Sequence, residues 1–155
     1  LIPPLRSAQL VKLFKEKFDI CSPTFLLEKD EIIITYTQGD SLLICDITKE
    51  LDKKDFVELK GILAAQLIID TIGNTCLISY DYKFNSFRKP FDIESSLNSL
   101  TNWDGYDTNG FIGIIFKIFL NEKDVILQRL GYSRNTGWKI LSEQSFKKPR
   151  VPKKR

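Results

Sequence analysis

Residues 61–69 (Gly-Ile-Leu-Ala-Ala-Gln-Leu-Ile-Ile) are apolar on nearly every side, and this run constrains the fold more than any other feature. A helix without a polar stripe must be buried on most of its faces. Asp52 or Asp55 is placed to cap such a helix, and Gly73-Asn74 supplies a left-handed stop. The run therefore reads as the second half of a long buried helix ending near Ile72. A second segment, Phe111 to Leu120, carries Ile112, Ile114, Phe116, Ile118 and Leu120 on one side. Phe111, Ile115 and Phe119 lie on the other, broken only by Gly113 and Lys117. Apolar residues on both sides of a period-two pattern predict a central strand.

The rest of the chain is read around these two segments. Ser7 can cap a helix to Phe18, with Val11, Phe14 and Phe18 on one stripe. The β-branched and aromatic stretch 31–37, the Gln38-Gly39-Asp40 turn and the apolar stretch 41–47 predict a β-hairpin. Thr75 to Phe84 alternates as a strand, with Cys76, Ile78, Tyr80, Tyr82 and Phe84 expected on one face. Asp92 to Leu100 fits a short helix. Val125–Tyr132 and Trp138–Leu141 complete an antiparallel meander with 111–120. The expected fold class is α+β: an N-terminal helix, a β-hairpin, a long buried helix, then a mainly antiparallel sheet ending in a three-stranded meander. One globular domain spans residues 1–146 and a basic tail spans 147–155.

At 155 residues the chain can bury about 70% of its unfolded surface, so neither disulfides nor metal are required. No apolar run approaches the roughly 18 residues of a spanning helix, and no membrane association is expected. The chain contains no methionine and opens on Leu1, as a piece of a longer polypeptide would. It also contains no histidine, which excludes Ser-His-Asp triads, Cys-His pairs and His-ligated zinc within this chain. Cys21, Cys45 and Cys76 are odd in number and lack metal-ligand spacing, and read as buried reduced thiols of an intracellular protein.

Charge is unevenly placed. Residues 1–146 carry 17 basic and 20 acidic side chains, a net of −3, whereas the tail holds Lys147, Lys148, Arg150, Lys153, Lys154 and Arg155 and no acid. A proline-broken basic cluster stays extended and suits an import receptor or nucleic-acid phosphates. Arg129 and Arg134, on or beside the meander, extend that set, with Lys117 and Lys139 near them.

Three further constellations are weaker. Asp46 with Glu58-Leu59-Lys60 imitates the Asp…Glu-x-Lys set of a metal-dependent nuclease. On a helix, however, residues two apart point to different sides. The loop Asp104 to Gly110 imitates a cation loop but lacks its first ligand and its closing glutamate. Tyr80, Tyr82, Phe84, Phe87, Arg88 and Lys89 interleave aromatic and basic groups as a base-stacking surface would, and read better as core aromatics beside a basic loop.

These features point first to a non-enzymatic protein-interaction domain. It would be a subunit of a nuclear, chromatin-associated assembly, docking through the first helix or an open sheet edge. No catalytic residue, metal or small-molecule cofactor is expected. Its partners would be proteins, with DNA or RNA possible through the tail. The alternatives are direct nucleic-acid binding by the tail and meander arginines, and a metal-dependent phosphodiesterase drawing on Asp46, Glu58, Lys60, Asp81 and Asp107.

Overall fold

The computed structural model describes residues 12–19, 21, 25–105, 110–133 and 135–149. Their elements in chain order are β1 (Glu16–Lys17), β2 (Leu26–Leu27), β3 (Ile34–Tyr36), α1 (Asp40–Ile47), α2 (Lys53–Glu58), β4 (Gly61–Ile69), β5 (Thr75–Phe84), α3 (Ile93–Asn98), β6 (Trp103–Gly105), β7 (Ile112–Leu120), β8 (Asp124–Ser133) and β9 (Gly137–Lys147). Among the described residues the fold is sheet-rich, with three short helices, rather than an α+β fold built on a long buried helix. One seven-stranded sheet runs β1-β5-β4-β7-β8-β9, with β2 beside β7, and β3 and β6 form a separate pair. Every pairing is antiparallel except β2 with β7.

The expected long helix is replaced by α2 and β4. Asp52 does cap a helix, accepting the Asp55 N–H at 2.7 Å, but that helix ends at Glu58. The apolar run that follows is a central strand between β5 and β7. A strand covered on both faces is as uniformly apolar as a buried helix, and a nine-residue run fits either. Gly61 decides the matter. Its φ of +140° lies outside any helix, and a Cβ there would stand 2.0 Å from the Lys83 carbonyl oxygen. Gly73, at φ +90°, turns the β4–β5 hairpin rather than ending a helix.

The β-hairpin expected at 31–47 is also corrected. β3 is a strand but pairs with β6, and residues 40–47 form α1. Leu43, Ile44 and Ile47 are buried there while Cys45 is exposed. That three-to-four spacing is helical, and strict alternation would have buried Cys45 with Leu43. The N-terminal helix is absent over its described part: Glu16–Lys17 is β1, paired with β5. Residues 7–11 lie outside the described residues.

β5 contains a register shift opposite Gln66 and Leu67. Leu77 and Tyr80 consequently join the main core, whereas Ile78 and Cys76 face the other way. A bulge sets two residues against one and resets the alternation, so the single aromatic face expected for Cys76, Ile78 and Tyr80 is divided. The main core lies between this sheet face and α1, α3, β3 and β6. A smaller cluster on the opposite face joins Phe25, Leu27, Ile68, Ile78, Ile115 and Leu130 beneath the N-terminal segment.

Cys21 and Cys76 form a disulfide that fastens that segment to β5, and Cys45 is free and exposed. The expected set of three buried thiols is therefore corrected. The bonded pair is 55 residues apart, a separation that carries no motif. Gly61→Ala is expected to lower unfolding stability by about 3 kcal/mol, from strain at positive φ and the clash with β5. Urea unfolding followed by tryptophan fluorescence measures it.

Candidate functional site

The sheet ends at β9, which pairs with β8 along its inner side and, among the described residues, with nothing along its outer side. The ladder fixes which backbone groups are left over. Lys148 N–H donates to the Lys123 carbonyl at 2.8 Å, and the two residues are register partners beyond Asp124↔Lys147. In an antiparallel ladder a residue directs its N–H and C=O to the same side, and its neighbour directs them to the other. Gln144 and Phe146 thus point inward with Lys148. Glu143, Ser145 and Lys147 point their amides and carbonyls outward, to the open edge.

The side chains of β9 are unusually exposed for so long a strand. Trp138 and Ile140 keep 46% and 56% of their surface exposed. Trp138 is nevertheless positioned. Its ring stands 5.1 Å from Tyr132 and 6.2 Å from Phe14, and the Lys117 ammonium lies 5.6 Å from its centre. Glu143, exposed on β9, accepts from Gln128 at 2.6 Å. The adjoining sheet face is legible as cross-strand rungs. One joins Ile62, Phe119, Ile126 and Ser145, and the next joins Ala64, Lys117, Gln128 and Glu143. A shallow cleft of about 300 Å³ beside Ile62, Ala64, Asp81 and Lys117 opens on this face.

Most of the basic residues singled out in the sequence are used elsewhere or lie outside the described residues. Arg129 is 1% exposed and donates to Glu28 at 2.6 Å, with its guanidinium 5.7 Å from the Trp103 ring. Its Nε has no hydrogen-bond partner among the described residues. Glu28, equally buried, also accepts the Ile33 and Ile34 amides at 2.5 and 2.9 Å. Burial raises the nearby Asp40 carboxyl above its ordinary pKa, and the Arg129 charge pulls it partly back.

Lys148 is also buried, and its ammonium donates to the Leu59 and Val57 carbonyls at 2.6 and 3.1 Å, closing the C-terminal end of α2. Burial, assisted by Lys60, lowers its pKa. Neither Arg129 nor Lys148 is free to meet a phosphate. Lys147 is exposed at the end of β9, whereas Arg134, Arg150, Lys153, Lys154 and Arg155 lie outside the described residues.

The nuclease set is not assembled. Asp46 on α1 accepts the Tyr36 hydroxyl, Glu58 ends α2, and Lys60 follows it outside the helix. Asp81, exposed on β5, accepts its neighbour's amide at 2.9 Å. Asp107 and most of the loop from Asp104 to Gly110 lie outside the described residues. Among the described residues, no three His, Cys, Asp or Glu side chains gather as a metal site.

The aromatic series is divided. Tyr80 is buried, with its hydroxyl on Glu94 at 2.8 Å, and Tyr82 and Phe84 stack beside it along the core face. Lys89 pairs with Glu94 at 3.4 Å, and Phe87 is fully exposed next to Arg88. Among the described residues, no helix is long and apolar enough to cross a membrane.

Compared with protein-family models, with curated proteins and with solved structures, the chain matches none. The reading of the site therefore rests on its geometry.

Arg129→Met is expected to cost about 3–5 kcal/mol, since it leaves Glu28 charged and unpaired in the core. Glu28→Gln added to Arg129→Met recovers part of that loss, as chemical denaturation of the two variants will show. Burial and the Asp46 bond raise the Tyr36 pKa above 10.0. The folded protein then keeps a proton that the unfolded chain loses, so this contribution is intact below pH 10 and is lost as pH rises further. Tyr36→Phe should therefore show a flatter decline of stability above pH 10 than the parent chain, measured by thermal unfolding across alkaline buffers.

Proposed function

We propose that this chain is a non-enzymatic protein-interaction domain, a subunit of a larger assembly, and that it docks through the outer edge of β9. The observation that carries the reading is the outward row of backbone groups at Glu143, Ser145 and Lys147, beside exposed Trp138 and Ile140. An edge strand with free amides and carbonyls accepts an added strand, with main-chain bonds giving affinity and alternate side chains giving selectivity. Of the residues a phosphodiesterase would draw on, Asp46 is engaged within the fold by the Tyr36 hydroxyl.

The nuclear setting rests on the basic tail alone. The Cys21–Cys76 disulfide weighs against it, because thiols in the nucleus and cytosol are held reduced. Direct nucleic-acid binding is the second reading, favoured by the exposed Phe87 beside Arg88, where an unstacked base could rest on the ring.

Ser145→Pro discriminates between these readings. It removes an outward amide that the β8 ladder does not use, and an edge strand tolerates proline there. The variant is expected to fold with unchanged circular dichroism and to lose at least tenfold in affinity for protein partners identified by crosslinking. Undiminished binding of those partners would exclude the edge as the docking surface. Tight, salt-dependent binding of labelled DNA or RNA by parent and variant alike would favour the second reading.

A further inference from the structure

We propose that the strand added to β9 is β9 of a second copy of this chain, paired antiparallel over residues 142–148 about a two-fold axis at Ser145. The proposal rests on reading the β9 edge as the docking surface, and adds to it the identity and register of the partner.

A two-fold pairing of a strand with itself must satisfy direction, register and charge together. Direction is met by an antiparallel arrangement, which places outward residues opposite outward residues. Centring on Ser145 sets Ser145 opposite Ser145 and Glu143 opposite Lys147, twice by symmetry. Each Glu143 then lies between Gln128 of its own chain, 2.6 Å away, and Lys147 of the second copy. The three outward residues of each copy would exchange about six backbone hydrogen bonds.

The neighbouring registers fail for separate reasons. Centring on Glu143 or on Lys147 sets like charges opposite, which is destabilising. Centring on Phe146 sets Glu143 against Pro149, which has no amide to donate. Centring on Gln144 carries the pairing into the irregularity opposite Arg129 and Leu130, where Leu141 is the extra residue of β9. A bulge bends the edge and ends a regular ladder. Charged residues on an edge ordinarily block unwanted pairing; here they block two of the neighbouring registers, and Pro149 and the irregularity at Leu141 block the other two.

The side chains agree with this register. The rung Ile62–Phe119–Ile126–Ser145 ends on the two-fold axis, so it would continue directly into the same rung of the second copy. Two half-exposed apolar strips would then form one, on the face that carries the shallow cleft.

Sedimentation velocity of the intact chain across roughly 1–200 µM tests the proposal. The expected result is a shift from monomer to twice the monomer mass. Glu143→Lys sets lysine opposite lysine at two symmetric places and should weaken the dimer about tenfold. Glu143→Lys with Lys147→Glu exchanges the two charges and should restore the affinity to within about threefold of the parent, because the same pairs re-form with reversed sign. Neither charge variant alters a backbone bond of the ladder with β8, so both are expected to keep the parent circular dichroism.

A chain that stays monomeric throughout the range, or a double variant no tighter than Glu143→Lys, would overturn self-pairing. A monomeric chain whose other partners are still lost on Ser145→Pro would overturn self-pairing and leave the docking edge standing. One whose partners ignore Ser145→Pro would bring down both.

Discussion

The fold turns on one buried ion pair, Glu28 with Arg129, at the place where two central strands part. β7 and β8 pair from Leu120↔Val125 to Ile115↔Leu130. Beyond that point the chain at 26–28 wedges between them. Glu28 N–H donates to the Gly113 carbonyl at 3.1 Å, and the Glu28 carbonyl accepts Tyr132 N–H at 3.2 Å. Two glycines make room for the wedge. A Cβ on Gly113 would press on the Phe25 ring at 2.7 Å, and one on Gly131 would stand 2.2 Å from the Lys29 carbonyl oxygen. With the wedge in place, the Glu28 carboxylate sits under the sheet, where Arg129 and two backbone amides satisfy it. An uncompensated charge there would cost several kcal/mol, so the pair ties the first third of the chain to the last.

That tie has consequences for the rest of the molecule. It leads the chain into β3, whose pairing with β6 brings Trp103 over Arg129 and against Tyr36 at 4.8 Å. Trp103 is held in turn by Thr75 at 2.8 Å. On the other face, Leu13, Phe14, Cys21, Phe25 and Leu27 pack against the half of the sheet nearest the wedge, fastened by the Cys21–Cys76 disulfide. The far half, with Ile62, Phe119 and Ile126, is left uncovered among the described residues. β9 lies beyond β8 at the boundary of that open half, and Lys148 pins its end to the carbonyls of α2. The C-terminal end of the edge is therefore anchored to the interior.

β7 and β8 were legible because their apolar patterns are long. The short helix expected from Asp92 was legible for a local reason: the Asp92 side chain caps it, accepting the Ser95 amide at 3.1 Å, three residues on. The helix assigned to 61–69 failed because burial on all sides erases the difference between periods of 2.0 and 3.6. Gly61 ahead of the run and its paired isoleucines were the available signals for a strand. At 40–47, adjacent buried Leu43 and Ile44 carried the helical spacing that the hairpin reading passed over.

The fate of the basic residues was not legible at all. Arg129 finds its acid 101 positions away, and Lys148 its carbonyls about 90 positions away. A lone arginine in a half-polar strand and the second lysine of a basic run both look solvated until the partner segment is placed. The open edge, by contrast, was anticipated in kind but placed by the ladder alone, since β9 continues to Lys147 through a sequence with little alternation.

The most direct measurement is residue-resolved amide hydrogen exchange across β9 in dilute and concentrated solution. The account predicts that Gln144, Phe146 and Lys148 are protected at both concentrations, because their amides bond to β8. Glu143, Ser145 and Lys147 should exchange freely when dilute and gain protection together as the concentration rises. Outward amides that exchange freely under every condition, including saturation with any bound partner, would contradict the claim that this edge is the functional surface.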